Sequence, residues 1–285
     1  MPKILEDDFS KLEYEGWTQV AGLYDQSWSN LTRQFIDPLM ETADVSTGSK
    51  VLDIACGPGY VSQSLDEKGA VVTGIDFSPA MITLAKKLYP QIDFREGDAQ
   101  QLEFPAASFD SVVMNFGMLH LAKPHDAIAE ASRVLKKGGH FVFTVWAGPD
   151  KSPAARVMYG SIQKFADMKV NMPAAPDSYM FSDEKLCRQL LTENGFDGAS
   201  FHFKYHLVEW LVPSAEFLFE TELNAGVRTA ALLRRQTKST LEKIKANVVE
   251  GMQQFYDGTQ YRLEFCGCII AAVKSGNKKQ EHKGH

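Results

Sequence analysis

Along this chain the apolar positions recur first at helical spacing, then in short solid runs between helical stretches, and last in a looser mixture. From residue 9 to residue 43, Leu12, Trp17, Val20, Leu23, Tyr24, Trp28, Phe35 and Leu39 stand among polar residues, which predicts helical pieces ahead of the main sheet. Such a leader either caps a site or only anchors its aromatic side chains to the body. Residues 44–49 read as a turn. From Lys50 to Trp146 strands and helices alternate. Val51, Leu52 and Ile54 predict a first buried strand; residues 70–76, 92–96, 111–115 and 140–146 predict four more. Val61 and Leu65 mark the first intervening helix, closed by Gly69, and Ser78-Pro79 starts the next as an N-cap followed by proline. A helix through Ile128, Ala131 and Leu135 is expected to finish at Lys136-Lys137-Gly138-Gly139. Strands joined by crossovers rather than hairpins pair in parallel, so the fold class is α/β with a doubly wound, mostly parallel sheet.

After Trp146 the alternation loosens. Residues 147–182, with prolines at 149, 153, 173 and 176, suit an insertion folded over a site. Residues 183–194 predict a helix stopped by Gly195, and Phe201, Phe203, Tyr205 and Leu207 alternate as a sixth strand. A helix over 225–236 and another through Leu241, Ile244, Val248, Met252 and Phe255 fall in a second insertion, 212–258. Tyr261 to Val273 is apolar enough for a seventh, central strand, and the polar tail from Lys274 is expected to be loose. The division that follows is a helical leader at 1–45, one domain at 46–275 with two lid-like insertions, and a loose tail at 276–285.

Composition narrows the function classes. Of the 285 residues, 44% are hydrophobic and 23% charged, the balance of a globular protein able to bury a full core. A net charge of −6 argues against a large nucleic-acid footprint, which needs clustered Lys and Arg. No apolar tract approaches bilayer length and the first residues have no apolar signal core, so no membrane span is expected and the cytoplasm is the default. Cys56, Cys187, Cys266 and Cys268 have no zinc spacing and read as reduced core thiols. His202 and His206 flank Lys204 on one strand face, where a cation would repel a metal; no metal is expected.

The chemistry is concentrated in Asp53-Ile54-Ala55-Cys56-Gly57-Pro58-Gly59, where a buried strand breaks into a glycine turn and opens a helix. Missing Cβ atoms at Gly57 and Gly59 let a ligand approach the backbone beyond the carboxyl end of the strand, the usual nucleotide position in an open α/β sheet. A dinucleotide fingerprint requires a third glycine where Ser62 stands. Asp76 ends the second strand and is placed to accept ribose hydroxyls, chemistry shared by nicotinamide and other nucleoside cofactors.

This pattern resembles the first motif of the class I S-adenosylmethionine (SAM) methyltransferases, with Ala55 where the family has its first glycine. Within them it is similar to the small-molecule group that includes the ubiquinone/menaquinone C-methyltransferases. The resemblance covers residues 51–146 and rests on four features at successive strand ends. It implies a Rossmann-like fold, SAM as cofactor and S-adenosylhomocysteine as product. It also implies that Asp53, Ala55, Cys56, Gly57 and Gly59 hold the amino-acid end, and that Asp76 holds the ribose with Phe77 and Met81 against the adenine. Asp98 and Ala99 then read the adenine edge, unless Gly97-Asp98-Ala99 is only an Asp turn. Asn115 and Phe116 face the sulfonium and the acceptor. Beyond the resemblance, Tyr24 or Trp17 from the leader, with Phe or Met residues of the later insertions, is expected to close over the acceptor space.

Asn115 does not begin an Asn-Pro-Pro-aromatic motif and the chain has no Pro-Cys dipeptide, which points away from nucleobase and glutamine acceptors. A small, partly apolar acceptor of quinol, phenol or polyketide type, methylated at oxygen or carbon, is expected. His120, following the fourth strand, is the candidate base, since imidazole titrates near neutral pH; the alternative is that it lines the pocket or orients a loop. Two other functions stay open: a nicotinamide oxidoreductase on the same fold, and a SAM-binding protein without catalysis. Oligomeric state is not legible.

Overall fold

The computed structural model describes residues 7–276. The leader forms α1 (Asp8–Gln26), a single turn α2 (Ser29–Thr32) and α3 (Ile36–Thr42). Asp7 caps α1 by accepting the Ser10 amide. There follow β1 (Lys50–Ile54), α4 (Tyr60–Glu67), β2 (Val71–Asp76), α5 (Pro79–Leu88), β3 (Asp93–Glu96), β4 (Phe109–Asn115), α6 (Pro124–Val134) and β5 (Leu135–Trp146). The chain continues with α7 (Pro153–Phe165), α8 (Glu184–Glu193), β6 (His202–Val212), α9 (Phe217–Ala225), α10 (Arg228–Arg234), α11 (Lys238–Met252) and β7 (Tyr261–Val273).

The seven strands lie in one sheet in the order β3-β2-β1-β4-β5-β7-β6. β1 to β5 pair in parallel, and β7 runs antiparallel between β5 and β6. This is the expected doubly wound, mostly parallel sheet. Its apolar strands pack on both faces: Leu52, Ile54, Val112 and Phe141 on one side with α6 and α8, Val51, Val113 and Val142 on the other with α3, α4 and α5. A third cluster joins α7, α9, α11 and the ends of β6 and β7 to Leu31 and Phe35 of the leader.

Three expectations need correction. The helix through Ile128 stops at Val134, not in the lysine-glycine run, because Leu135 already pairs with Phe109 and the strand bulges before resuming at Ser111 opposite His140. Lys136 therefore meets Asp110 at 2.6 Å instead of a helix end. Second, no helix spans 225–236 without a break; α9 ends at Ala225 and α10 starts at Arg228, with Gly226 extended between them. α9 itself was not foreseen. Third, Lys274 is not loose, since its amide and carbonyl bond to Gly139 and Gly138 and its amine to the Leu135 carbonyl. The rest of the expected tail, residues 277–285, lies outside the described residues.

Among the described residues no helix is long and apolar enough to cross a membrane, and no group of three or more His, Cys, Asp or Glu is arranged to hold a metal.

Candidate functional site

The carboxyl ends of β1, β2 and β4, the loop after β3, the leader and α7, α9 and α10 enclose one cavity of about 700 Å³. Every residue expected at the cofactor lies on its wall except Gly59. Gly59 sits behind the turn as the N-cap of α4, with φ of 89°, and a Cβ there would come 2.7 Å from the ring of Phe94. A glycine there keeps the shape of the turn and its packing against Phe94 and Tyr89.

Ala55 adopts φ of 55°, a left-handed conformation unusual for a residue with a side chain. Its methyl group has a complementary hole: a Cβ on Gly117 would fall 2.6 Å from the Cβ of Ala55. Gly117 thus makes room for the methyl group that distinguishes this turn. Ser62, at the missing third glycine, is buried and donates its hydroxyl to Asp53 Oδ2 at 2.6 Å.

Burial pushes the carboxyl of Asp53 up to about 7, against the Ser62 hydrogen bond, and the nearby Asp76 charge adds to the rise. Asp53 Oδ1 is a buried acceptor with no partner among the described residues. Asp76 is also pushed up by burial, to about 6, although its oxygens accept the amides of Gly57 at 2.9 Å and Ser78 at 2.8 Å. The Cys56 thiol is driven well above its ordinary value by burial, so it is not a thiolate nucleophile. Asp98 Oδ1 accepts the backbone and side-chain amides of Gln100 beside Ala99, both residues on the wall. Phe77 lies 6.1 Å from Tyr14, ring to ring, and Met81 is buried in the first turn of α5.

At the end of β4 the Asn115 amide is engaged in the fold, donating to the Thr32 carbonyl at 3.2 Å and accepting from Thr144 at 2.6 Å. Phe116 stacks on Trp146 with centroids 4.0 Å apart, and Trp28 continues this aromatic wall. Tyr24 reaches the Thr32 hydroxyl at 3.1 Å; burial raises its phenol to about 12, so it stays protonated.

A short 3-10 turn, Met118–His120, then points His120 at the leader. His120 Nδ1 is 2.9 Å from Glu13 Oε2, and the indole of Trp17 donates to the same oxygen at 3.0 Å. The Glu13 side chain is fully buried while 22% of the His120 side chain remains accessible. The rings of Trp17 and His120 meet edge to face with centroids 4.8 Å apart. Glu13 escaped sequence reasoning because an acidic residue on an amphipathic helix reads as solvated. The available signal was its place one turn before Trp17. Arg33 was missed too; its guanidinium lies 4.3 Å above the ring of Tyr60, whose hydroxyl bonds Asp25, and it lines the cavity.

The sheet order, the acidic strand ends and the glycine turn together define the class I methyltransferase fold. Residues 52–143 match the model of a methyltransferase domain family, and in sequence and fold the chain is similar to the small-molecule members of that class. A demethylmenaquinone methyltransferase of Paenarthrobacter aurescens (strain TC1) is 32% identical over 157 residues, 54% of this chain and 62% of that relative. The chain spans less than two thirds of the length of the first curated relatives it matches. Among solved structures, a methyltransferase candidate from Bacillus halodurans C-125 superposes with TM-score 0.57 at 21% identity, covering 85% of this chain and all of that one. Phosphoethanolamine N-methyltransferase 2 of Haemonchus contortus, solved with S-adenosyl-L-methionine, gives 0.52 at 18% identity, covering 85% of this chain and 53% of its own. At such identities the two structures speak for the fold alone.

Proposed function

We propose that the protein is a SAM-dependent methyltransferase transferring a methyl group to oxygen or carbon of a small, partly apolar acceptor of quinol or phenol type. The observation that carries this is the Glu13–His120 pair, a histidine held by a buried carboxylate on the wall of the cavity into which the glycine turn opens. When bound, SAM supplies a methyl group carried on a sulfonium sulfur. The residues present fit it: the orphaned Asp53 Oδ1 suits its ammonium, the free lone pairs of Asp76 its ribose hydroxyls, and Arg33 its carboxylate. Asp98 and Ala99 suit the adenine edge, with Phe77 and Met81 against the ring.

His120 Nε2 receives the proton that leaves the acceptor oxygen or activated carbon. Glu13 holds the opposite ring nitrogen and stabilises the imidazolium, while Trp17 fixes the carboxylate. Trp28, Phe116 and Trp146 exclude water and offer a flat apolar wall. The demethylmenaquinone named for the relatives supports a ring acceptor. A base so held disfavours a purely SAM-binding role. The antiparallel β7 departs from the all-parallel dinucleotide sheet and disfavours a nicotinamide enzyme. In this proposal residues 46–275 are the catalytic domain, with 1–45 as cap and 147–182 and 212–258 as lids. The four free, buried cysteines fit a reducing cytoplasm.

The test is label transfer from methyl-labelled SAM to a panel of quinol, phenol and amine acceptors. Label is expected in the phenolic acceptors. His120→Asn should lower kcat by about 10²–10⁴-fold with S-adenosylhomocysteine affinity unchanged. Absence of S-adenosylhomocysteine binding in calorimetry at millimolar ligand would sink the proposal. Binding without transfer across the whole panel would favour the non-catalytic role.

A further inference from the structure

On the side of the cavity remote from the glycine turn, α7, α9 and α10 supply polar groups that holding the cofactor does not use. Glu222 of α9 is only 5% exposed, yet it lies on the cavity wall. Tyr159 of α7 donates its hydroxyl to Glu222 Oε1 at 2.8 Å, and the Thr229 side chain lies beside both groups on the cavity wall. Tyr179 stands edge-on to Tyr159 with centroids 6.4 Å apart. No Lys, Arg or His pairs with Glu222 among the described residues. Arg228, the nearby cation on the wall, is engaged with the Ser178 hydroxyl at 2.6 Å and the Pro176 carbonyl.

A carboxylate buried among hydroxyls alone is costly, and burial accordingly pushes Glu222 up to about 7. Tying α7 to α9 does not require that cost, because a glutamine would accept the Tyr159 hydrogen bond equally well. What a carboxylate adds is a strong acceptor facing the cavity, able to take a proton donor from a ligand. The neighbouring wall is apolar: Ile162, Val227 and Leu232, with Met168 and Met172. α10 and α1 meet where a Cβ on Gly16 would run into Val227, and Arg228 lies 5.3 Å over the Phe9 ring. Two buried carboxylates on adjoining helical elements thus serve one cavity, Glu13 from behind His120 and Glu222 on the wall itself.

We propose that Glu222, oriented by Tyr159, is a specificity-determining residue that accepts a hydrogen bond from a second hydroxyl of a dihydroxylated aromatic acceptor, remote from the atom that is methylated. This rests on the methyltransferase function proposed above. An ether at that position has no proton to give, and a carboxylate or phosphate would face Glu222 with like charge. Such acceptors are selected against.

The test is calorimetric titration of the full chain, saturated with S-adenosylhomocysteine, with naphthalene-1,5-diol and with 5-methoxy-1-naphthol, which lacks the second proton donor. The wild type should bind the diol about tenfold or more tightly than the methoxy compound, the discrimination expected of a hydrogen bond to a charged group. Glu222→Gln should shrink the preference to about twofold or less, with S-adenosylhomocysteine affinity unchanged and the melting temperature no lower than that of the wild type. Tyr159→Phe should weaken the preference at least threefold, on the order of the loss expected when an orienting hydrogen bond is removed; it serves as the deciding variant if Glu222→Gln does not fold. A preference retained in the folded variants overturns the proposal, as does a wild type that binds S-adenosylhomocysteine but shows no preference or takes up neither naphthol. Failure of S-adenosylhomocysteine itself to bind would strike the methyltransferase function instead.

Discussion

At residue scale the glycine turn is a matched pair. Ala55 holds φ of 55° with its methyl group pressed into the space left by Gly117, on the loop that carries His120. A left-handed alanine costs on the order of 1 kcal/mol relative to glycine, so Ala55→Gly is expected to raise the melting temperature by about 2 °C. Gly117→Ala should do the opposite, because its new methyl group would meet both Ala55 Cβ and Met114; an overpacking loss of about 1–3 kcal/mol is expected. The Ala55→Gly/Gly117→Ala double variant should recover most of that loss, since one methyl group is moved across the contact instead of a second being added. Urea denaturation of all four species checks the cycle. Strict additivity would show that the two residues do not sense each other.

At the scale of elements, Phe35 locks the leader to the sheet. Fully buried, it lies 4.8 Å from Phe116, 5.8 Å from Trp146 and 5.1 Å from His206, ring to ring, and so touches the ends of β4 and β5 and the middle of β6 together. The leader therefore both anchors its aromatics and walls the cavity, two roles that sequence patterning left as alternatives. Phe35→Ala should cost about 3–5 kcal/mol and lower kcat more than S-adenosylhomocysteine affinity, because freeing the leader withdraws Glu13 from His120. Denaturant midpoints with steady-state kinetics test this; a stable variant with full kcat refutes it. The parallel strands were legible because solid apolar runs ending in Asp53, Asp76 and Asn115 can hardly be anything else. α9 was not, because Phe217, Leu218, Phe219 and Leu223 bury against several partners and leave no one-sided stripe. The β5 boundary was misplaced because Lys136-Lys137-Gly138-Gly139 is as good a helix end as it is a bulge. Glu13 and Glu222 were illegible as site residues, since what distinguishes them is burial, and burial comes from elements far apart in sequence.

At the scale of the whole molecule, the cavity concentrates negative charge. Burial raises Asp53, Asp76 and Glu222 to about 7, about 6 and about 7, against ordinary carboxyl values near 4. Between the unfolded and folded values the native state holds more protons than the unfolded chain, so stability falls as pH rises through that window and levels off above it. The urea midpoint of the free protein should thus be higher at about pH 5.5 than at about pH 8, and Asp53→Asn, which keeps an acceptor for Ser62, should flatten the slope. A bound cation reverses the balance by favouring the ionised carboxylates. SAM carries a sulfonium and an ammonium against one carboxylate, so its binding should expel protons and tighten as pH rises between about 5.5 and about 8. Calorimetry in buffers of different ionisation enthalpy measures that proton release directly. Zero release, or SAM binding that weakens with pH across this window, would show that Asp53 and Asp76 do not face the cofactor.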